Sequence, residues 1–459
     1  MNIQIVILAA GHGKRMHSSY PKVLHPLAGK PLLEHVIHTA LTLAPDASPI
    51  IVHGHQGTIL QNALSHYPIT WVEQKEQLGT GHALLQALPA IHEEDQVLIL
   101  YGDVPLIKVE TLKKLMTNTP QNALGLLTAF FDNPTGYGRI KRNAEQAIIG
   151  IVEERDATLV ERAIKEINPG IYFLPARFLK KYLPQLKNNN QQKEYYLTDI
   201  LTFAVQENIP IISTQADCEV EVLGVNDKQQ LAQLERFYQL QLAKKLMQQG
   251  VTLYDPARLD IRGEVIIGHD VTIDVNVVLE GRVVIGDHCT IGAHTYLRNT
   301  SIAHHVEIKP QSIIDGAEIA EHCIIGPMAR LRPGTVLAAH THVGNFVEIK
   351  NSEIGERTKI NHLSYVGDSV VGREVNIGAG TITCNYDGVN KHKTVIGDRV
   401  QIGSDSTLVA PLTIQDDVYI AAATTVRKTV PAGTLVYNAR EEKHKKDWVA
   451  TRKEKIKKK

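Results

Sequence analysis

The sequence has few cysteines, no excess of charge of either sign and no long apolar segment. Four cysteines among 459 residues show no C-x-x-C spacing, so neither a zinc knuckle nor a disulfide framework is indicated. Lysine plus arginine and aspartate plus glutamate number 49 each, so the overall charge does not indicate nucleic-acid binding. Because no apolar run reaches bilayer length and the N-terminus lacks a signal-peptide pattern, we expect a cytoplasmic, soluble protein without membrane insertion.

A hexapeptide rhythm of aliphatic residues runs through the C-terminal part of the chain. Eight pairs lie six positions apart, and the first members of successive pairs are 17 or 18 residues apart, with one exception. The pairs are Ile285/Ile291, Ile302/Ile308, Ile319/Ile325, Leu337/Val343, Ile354/Ile360, Val371/Ile377, Ile396/Ile402 and Ile414/Ile420. Three hexapeptides close one turn of a triangular parallel β-helix and stack these side chains inside it.

The exception is one long coil. From Val371 to Ile396 the spacing is 25, which leaves roughly seven residues more than a normal coil. The stacked interior cannot absorb them, so they must leave the solenoid as a loop within residues 383–391. Insertions in solenoids often map to the binding face, although a tolerated surface excursion is the other interpretation.

The rest of the chain divides by pattern. Residues 1–225 alternate between strand and helix patterns, which is typical of a layered α/β domain. Residues 226–249 repeat leucines at three- and four-residue steps before Gly250, which predicts one long linker helix. Residues 250–440 hold the solenoid, and 441–459 form a basic C-terminal tail.

A glycine-rich turn follows the first predicted strand, with the letters L-A-A-G-H-G-K-R-M at 8–16. It is not a Walker loop, and Met16 stands where a Rossmann fingerprint needs its third glycine. Two glycines let backbone amides approach an anion, and Arg15 and Lys22 supply cations. A plain strand-to-helix turn is the alternative. Asp103, at the end of a buried strand, suits a magnesium ion that bridges to phosphates.

Together these segments carry a resemblance. The motifs at 8–16, P-K at 21–22, Q-L-G-T-G-H-A at 77–83 and Y-G-D-V-P-L at 101–106 resemble those of the sugar-phosphate nucleotidyltransferases. With the solenoid and its N-Y-D-G loop, the whole chain resembles the bifunctional bacterial N-acetylglucosamine-1-phosphate uridyltransferase/glucosamine-1-phosphate acetyltransferases. The resemblance implies a Rossmann-like nucleotidyltransferase domain, the linker helix and a left-handed parallel β-helix domain with acetyltransferase activity.

For the first half, the resemblance implies a site for UTP, N-acetylglucosamine 1-phosphate and Mg²⁺. Asp103 and Asn226 would hold the metal, and Arg15 and Lys22 would neutralise phosphates in a catalytic role. The remaining substrate-binding residues would be Leu8, Ala9, Ala10, Gly11, Gln74, Gly79, Thr80, Tyr101, Gly102, Gly138, Glu153 and Asn168. Two positions depart from the family pattern, Lys14 and Pro169, and neither removes a functional group.

For the solenoid, the resemblance implies that His362 is the catalytic base of acetyl transfer, since a neutral amine must form. Asn361 stands where the family has glycine. Glucosamine 1-phosphate would be held by Arg332, Lys350, Tyr365, Asn376 and Lys391. Acetyl-CoA, the acetyl donor, would be contacted by Ala379, Asn385, Tyr386, Ser404, Ala422 and Arg440.

The same resemblance implies a homotrimer built through the solenoid, with acetyltransfer sites that no single chain completes. Two other hypotheses stay open at this point. One is a single-activity sugar-1-phosphate nucleotidyltransferase whose β-helix is only structural. The presence of His362 together with the residues of the long loop argues against it. The other is a catalytically silent scaffold. Such a protein would not need cations and metal ligands around a glycine turn, so their presence argues against it.

Overall fold

The computed structural model describes residues 2–439 and 441–457. The contact pattern divides the chain into two compact units, and the division falls between Gln241 and Leu242. Among the described residues, no helix combines the length and apolar character that are needed to span a bilayer. The four cysteines are all free thiols.

The first unit is built on a mixed 10-stranded sheet, in which the first four strands are parallel and the next five pair antiparallel. In spatial order its strands are Thr70–Glu73, Ile50–His53, Ile3–Ala9, Gln96–Tyr101, Tyr172–Pro175, Leu124–Phe130, Glu166–Asn168, Gly138–Arg142 and Ile148–Val152, with Ile211–Gln215 also paired to Leu124–Phe130. The α-helices are Leu32–Leu43, Gly57–Ala63, Thr80–Ala87, Val109–Asn118, Leu159–Arg162, Ala176–Tyr182, Ile200–Gln206 and Lys228–Gln248. This is the predicted α/β domain.

The strand Ile3–Ala9 lies inside the parallel part of that sheet, with a parallel partner on each side, and its side chains explain why. Val6 and Leu8 belong to one buried cluster, whereas Ile5 and Ile7 belong to another. Successive side chains of a strand point to opposite faces, so an apolar run of this kind is stable only when helices cover both faces. Parallel pairing with strands on either side leaves the carboxyl end of Ile3–Ala9 open for a ligand.

The long helix Lys228–Gln248 confirms the predicted linker helix to within a turn. Its first half packs Leu234 and Tyr238 against Met16, Leu27 and Leu32, which follow or flank the glycine turn. The helix thereby fixes the segment that leads into it, including Asn226.

The second unit is a parallel β-helix. One face is an 11-stranded parallel sheet formed by Thr252–Leu253, Thr272–Ile273, Thr290–Ile291, Glu307–Ile308, Ile324–Ile325, His342–Asn345, Lys359–His362, Asn376–Ile377, Gln401–Ile402, Tyr419–Ile420 and Leu435–Val436. The other faces form a 17-stranded parallel sheet of Leu259–Ile267, Val277–Ile285, Tyr296–Arg298, Ser301–Ile302, Ile313–Asp315, Ala317–Ile319, Arg330–Leu331, Thr335–Leu337, Glu348–Lys350, Glu353–Ile354, Tyr365–Gly367, Ser369–Val371, Ile382–Cys384, Thr394–Ile396, Thr407–Val409, Leu412–Ile414 and Thr425–Val426.

The hexapeptide register is confirmed residue by residue. Ile291, Ile308 and Ile325 are direct strand partners in successive coils and are fully buried. The longest coil leaves the solenoid between Cys384 and Thr394, as the 25-residue spacing predicted. Inside the basic tail, Trp448–Lys457 forms a helix.

The buried isoleucines inside the solenoid allow a test of the predicted register. Ile308→Ala should lower the free energy of unfolding by about 2–5 kcal/mol, because it leaves a cavity at a fully buried position. Glu307→Ala, the outward neighbour on the same two-residue strand, should change it by no more than about 0.5 kcal/mol. Urea unfolding followed by far-UV circular dichroism measures both, and equal losses would contradict an inward register.

Candidate active sites

The glycine turn after the strand Ile3–Ala9 is shaped by a close backbone approach. Gly13 has φ 59, and a Cβ there would lie 2.8 Å from Lys22 Cβ. Any side chain would therefore push away the lysine that faces the turn, and only glycine combines this space with a left-handed backbone. The turn holds Lys22 close to the end of the strand.

Lys22 is at the centre of a small charged cluster. Its Nζ donates a hydrogen bond to Asp103 Oδ2 and lies 3.4 Å from Asn226 Oδ1. The Val225 amide donates to the Asp103 carbonyl at 2.9 Å, so the start of the linker helix is tied to the end of the strand Gln96–Tyr101. Three residues far apart in sequence thus face one another.

The donor set of this cluster suits a hard divalent cation. Asp103 offers a carboxylate and Asn226 an amide oxygen, and magnesium prefers one or two such protein ligands together with phosphates and water. The side chains of Lys22 and Asp103 are 10% and 18% exposed, and both residues line a cavity through which a phosphate can reach them. The predicted metal ligands therefore lie together, and Lys22 between them adds the charge that a polyphosphate requires.

A cavity of about 260 Å³ opens beside this cluster. Ten of the predicted residues line it: Leu8, Ala9, Ala10, Gly11, Lys22, Gln74, Gly79, Thr80, Tyr101 and Asp103. Gln74 is 2% exposed and donates to the Gly79 carbonyl at 3.1 Å, which fixes its amide at the cavity wall. Gly102 lies behind the wall, where its amide donates to the Leu8 carbonyl at 3.0 Å.

Arg15 is an exception among the predicted residues. It lies in a short 3-10 helix, Lys14–Met16, and its side chain is exposed outside the cavity lining. Five residues that the sequence did not single out also line the cavity, and three of them are polar, namely His12, Gln77 and Glu194. The first two stand inside the quoted motifs, but Glu194 had no local signal because its segment reaches the cavity only through the fold.

The predicted sugar-binding residues meet at a neighbouring point of the same sheet. Gly138 and Asn168 are direct partners on antiparallel strands, and a Cβ on Gly138 would lie 3.5 Å from Glu153 Oε2. Asn168 donates to the Tyr172 hydroxyl at 2.8 Å and accepts the Gly170 amide at 2.9 Å. The missing side chain at Gly138 leaves room in front of the Glu153 carboxylate.

Two adjacent glutamates have opposite pKa shifts. Burial raises the pKa of Glu153, and a hydrogen bond from the Thr198 hydroxyl at 3.0 Å offsets this only in part. Burial also acts to raise the pKa of Glu154, but hydrogen bonds from Arg139 and the Gly136 amide outweigh it, so the net pKa is lowered. The ionised form of Glu153 is thus unfavourable in the folded protein, and hydrogen bonds from the hydroxyl groups of a ligand would stabilise it.

In the solenoid, one corner carries a column of predicted residues. His362 is the strand partner of Asn345, and its Nδ1 lies 3.0 Å from Asn345 Oδ1. His362 lies two residues after Ile360, which is the first of four isoleucines that are direct partners in successive coils, followed by Ile377, Ile402 and Ile420. The positions two residues after these last three isoleucines therefore continue the column. The residues at those positions are Ala379, Ser404 and Ala422.

This column has a simple shape. Successive coils are about 4.8 Å apart, so the three small residues make a shallow track that leads away from His362. The predicted catalytic base thus stands at one end of the predicted acetyl-CoA contacts. Arg440, the remaining predicted contact, lies outside the described residues.

A cluster of cations lies around the next corner. Lys350 Nζ is 4.0 Å from Asp368 Oδ2, and Asn385 from the long loop donates to the same oxygen. The close ammonium of Lys350 lowers the pKa of Lys391. Two ammonium groups that repel each other in this way would be stabilised by an anion between them.

The other residues that are predicted to hold glucosamine 1-phosphate do not all lie in this cluster. Arg332 donates to Glu348 Oε1 at 2.8 Å, and Glu348 in turn is the strand partner of Tyr365. The loop residue Tyr386 is exposed and pairs with Lys391 in an antiparallel bridge. Asn376 does not join this cluster.

The position of Asn376 follows from the register. It pairs with Lys359, three residues before His362 on the same strand, which places it about 10 Å along that face. Within one chain, therefore, the cations meet the long loop, whereas Asn376 lies on the face that carries His362.

Comparisons with known proteins agree with this geometry. A model of the MobA-like NTP transferase domain matches residues 5–192, and a model of the GMPPB C-terminal domain matches residues 261–345 and 319–428. The bifunctional protein GlmU of Acinetobacter baylyi is 53% identical over 95% of this chain and 96% of its own. That of Methylococcus capsulatus is 51% identical over 95% and 94%, and one from Pseudomonas putida is 50% identical over the full length of both.

The chain belongs to the family of bifunctional GlmU proteins. This membership confirms the expected fold class and the expectation of two transferase activities, a nucleotidyltransferase and an acetyltransferase. It therefore excludes the silent scaffold. The individual site residues and the domain limits stay predictions.

The paired glutamates provide a test of the first site. Ionised Glu153 costs stability, and this cost is absent below the ordinary carboxyl pKa and develops as the pH rises through the raised value. Glu153→Gln should therefore stabilise the protein at neutral pH and have no effect at acid pH. Thermal unfolding across the acid-to-neutral range measures this.

Glu154→Gln is the matched control with the opposite sign. The stability that Glu154 contributes is present above the ordinary carboxyl pKa and is lost as the pH falls through the lowered value. Its replacement should destabilise at neutral pH and converge with wild type in acid. If Glu153→Gln is less stable than the wild type at neutral pH, the ionised Glu153 carboxylate does not destabilise the fold and the interpretation is wrong.

Proposed function

We propose that this chain acetylates glucosamine 1-phosphate with acetyl-CoA and then transfers UMP from UTP to the product, which gives UDP-N-acetylglucosamine and pyrophosphate. The observation that carries the proposal is the presence of two chemically different clusters on one chain. Lys22, Asp103 and Asn226 form a polyphosphate and metal site, whereas His362 and the Lys350–Lys391 pair suit an amine and a monophosphate.

In the uridyl transfer, the cavity beside the glycine turn would hold the nucleotide. Gln74, Gly79 and Thr80 suit the base and ribose, and Lys22 suits the phosphates. A phosphate oxygen of the sugar phosphate forms a bond to the α-phosphorus, and the bond from that phosphorus to the bridging oxygen breaks. Pyrophosphate leaves with the electron pair. The protein contributes position and charge rather than covalent chemistry.

The metal of this site would be Mg²⁺ held by Asp103 and Asn226, and it would supply charge neutralisation at the phosphates. Arg15 is exposed beside the glycine turn, from which its guanidinium would reach the phosphates of the nucleotide. On the sugar side, Gly138, Glu153 and Asn168 would accept and donate hydrogen bonds to hydroxyls and the acetamido group.

In the acetyl transfer, His362 would act as the general base. With Asn345 Oδ1 as acceptor, Nδ1 carries the hydrogen and Nε2 has a free lone pair. Nε2 takes a proton from the ammonium, the amine attacks the thioester carbonyl, and the C–S bond breaks so that CoA leaves as thiolate. The nitrogen then loses its second proton, and the thiolate takes up one proton to give CoA. Asn385 and Tyr386 on the long loop would face the acetyl group, and Ala379, Ser404 and Ala422 would contact the CoA.

Arg332, Lys350, Tyr365 and Lys391 would hold the phosphate of the amino sugar, and Arg440 the phosphates of CoA. We propose a cytoplasmic homotrimer in which Asn376 reaches the site of a neighbouring chain. Two observations support it: Asn376 lies apart within one chain, and the faces of the solenoid expose aliphatic side chains such as Ile313, Val336 and Val395. We also keep the segments 1–225, 226–249, 250–440 and 441–459 as functional limits.

One assay separates the two activities. On purified full-length protein with both substrate sets and Mg²⁺, His362→Ala should lower CoA release by about 10²–10⁴-fold and leave pyrophosphate release from N-acetylglucosamine 1-phosphate intact. Asp103→Ala should do the reverse, with a loss of at least about 10²-fold. The measurement follows the CoA thiol and pyrophosphate separately.

The controls are matched by type and exposure. His304→Ala removes another exposed solenoid histidine, and Asp132→Ala removes an exposed aspartate outside the cavity. Neither should change either rate. If CoA is never released while pyrophosphate is, the solenoid is structural and the single-activity alternative is correct.

A further inference from the structure

One corner of the solenoid carries a column of stacked imidazoles that neither transfer reaction uses. His288, His305, His322 and His340 lie in successive coils, with ring centroids 4.8, 4.9 and 4.8 Å apart and planes within 11° of parallel. Below them, the rings of His269 and His288 meet edge to face at 5.2 Å. We call these five residues the histidine column.

The backbone explains part of this column. His288, His305, His322 and His340 all have φ between 57 and 60, a left-handed conformation that histidine, asparagine and aspartate tolerate better than most residues. A second column at another corner has the same backbone but a mixed composition. Its residues are Asn276, His294, Gln311, Met328, Phe346 and Leu363. The left-handed corner therefore does not by itself require four histidines in a row.

Carboxylates accompany the lower end of the histidine column. Asp270 Oδ2 is 3.6 Å from His288 Nδ1, and Asp287 Oδ1 is 2.8 Å from His269 Nδ1. One ligand atom each from His269, Asp270 and His288 can be chosen so that all lie within 4.8 Å of one another. All three side chains are exposed, so small rotations can bring these atoms to a common ion.

We propose that His269, Asp270 and His288 bind a divalent transition-metal ion of the zinc class. Two imidazoles and one carboxylate are a ligand set that zinc uses in proteins, with bonds of about 2.0–2.2 Å. Asp287 accepts from the other side of the His269 ring and orients it, as carboxylates do behind metal-bound histidines.

This site differs in chemistry from the proposed magnesium site. Asp103 and Asn226 offer only oxygen, which magnesium prefers, whereas nitrogen ligands favour zinc, copper or nickel. The inference does not depend on the proposed function, because it rests on residues that neither reaction uses. The two can therefore fail separately.

The test is Zn²⁺ titration of the full-length protein by calorimetry in excess Mg²⁺, with the absorption of bound Co²⁺ as a second readout. The wild type should bind Zn²⁺ and give an intense Co²⁺ visible spectrum of low coordination number. His288→Asn, which keeps a residue suited to the left-handed backbone, should weaken Zn²⁺ binding at least about tenfold, as should Asp287→Asn.

His294→Asn is the matched control, since His294 is also exposed and has the same φ of 58 at a different corner. It should leave binding unchanged, as should Asp103→Ala. Circular dichroism of each variant shows whether the solenoid is intact, and His269→Ala repeats the test at a position without a left-handed backbone. Equal Zn²⁺ affinity in wild type, His288→Asn and His269→Ala, or no Zn²⁺ binding by the wild type, would overturn the proposal.

Discussion

The closure of each solenoid coil on its aliphatic interior is the constraint on which the second unit depends. Fully buried residues such as Ile308, Ile325 and Ile360 fix the rotation of every coil, because a shift by one residue would turn them outward. The outward positions are thereby fixed as well. Residues 17 or 18 apart become neighbours about 4.8 Å apart, so chemistry in this unit is organised in columns.

Two columns show what this organisation allows. One places His362 at the end of Ala379, Ser404 and Ala422, so that the predicted catalytic base and a track of small residues share one corner. Another stacks four imidazoles on a different corner and leaves carboxylates beside the lowest ones. The long coil departs from the register at a single place, and its loop brings Asn385 and Lys391 to Asp368 and Lys350.

The first unit depends on a different constraint, the meeting of strand ends at one edge of a sheet. Helices cover both faces of the strands Ile3–Ala9 and Gln96–Tyr101, whose central residues are apolar and buried, and the polar residues of the site come after the ends of these strands. Lys22, Asp103 and Asn226 gather there from three segments of the chain. The linker helix Lys228–Gln248 begins two residues after Asn226, and its packing against Met16 and Leu32 fixes the approach to that residue.

The sequence by itself determined the solenoid, its register and its long loop, because a repeat converts spacing directly into position. It also determined the family, through motifs that are local in the chain. Only the tertiary structure decided that Lys22 lies against Asp103 and Asn226, 81 and 204 residues away. It likewise decided that Arg15 is exposed and that Asn376 lies apart. Such contacts depend on strand order and on loops that have no period, and spacing along the chain carries no information about them.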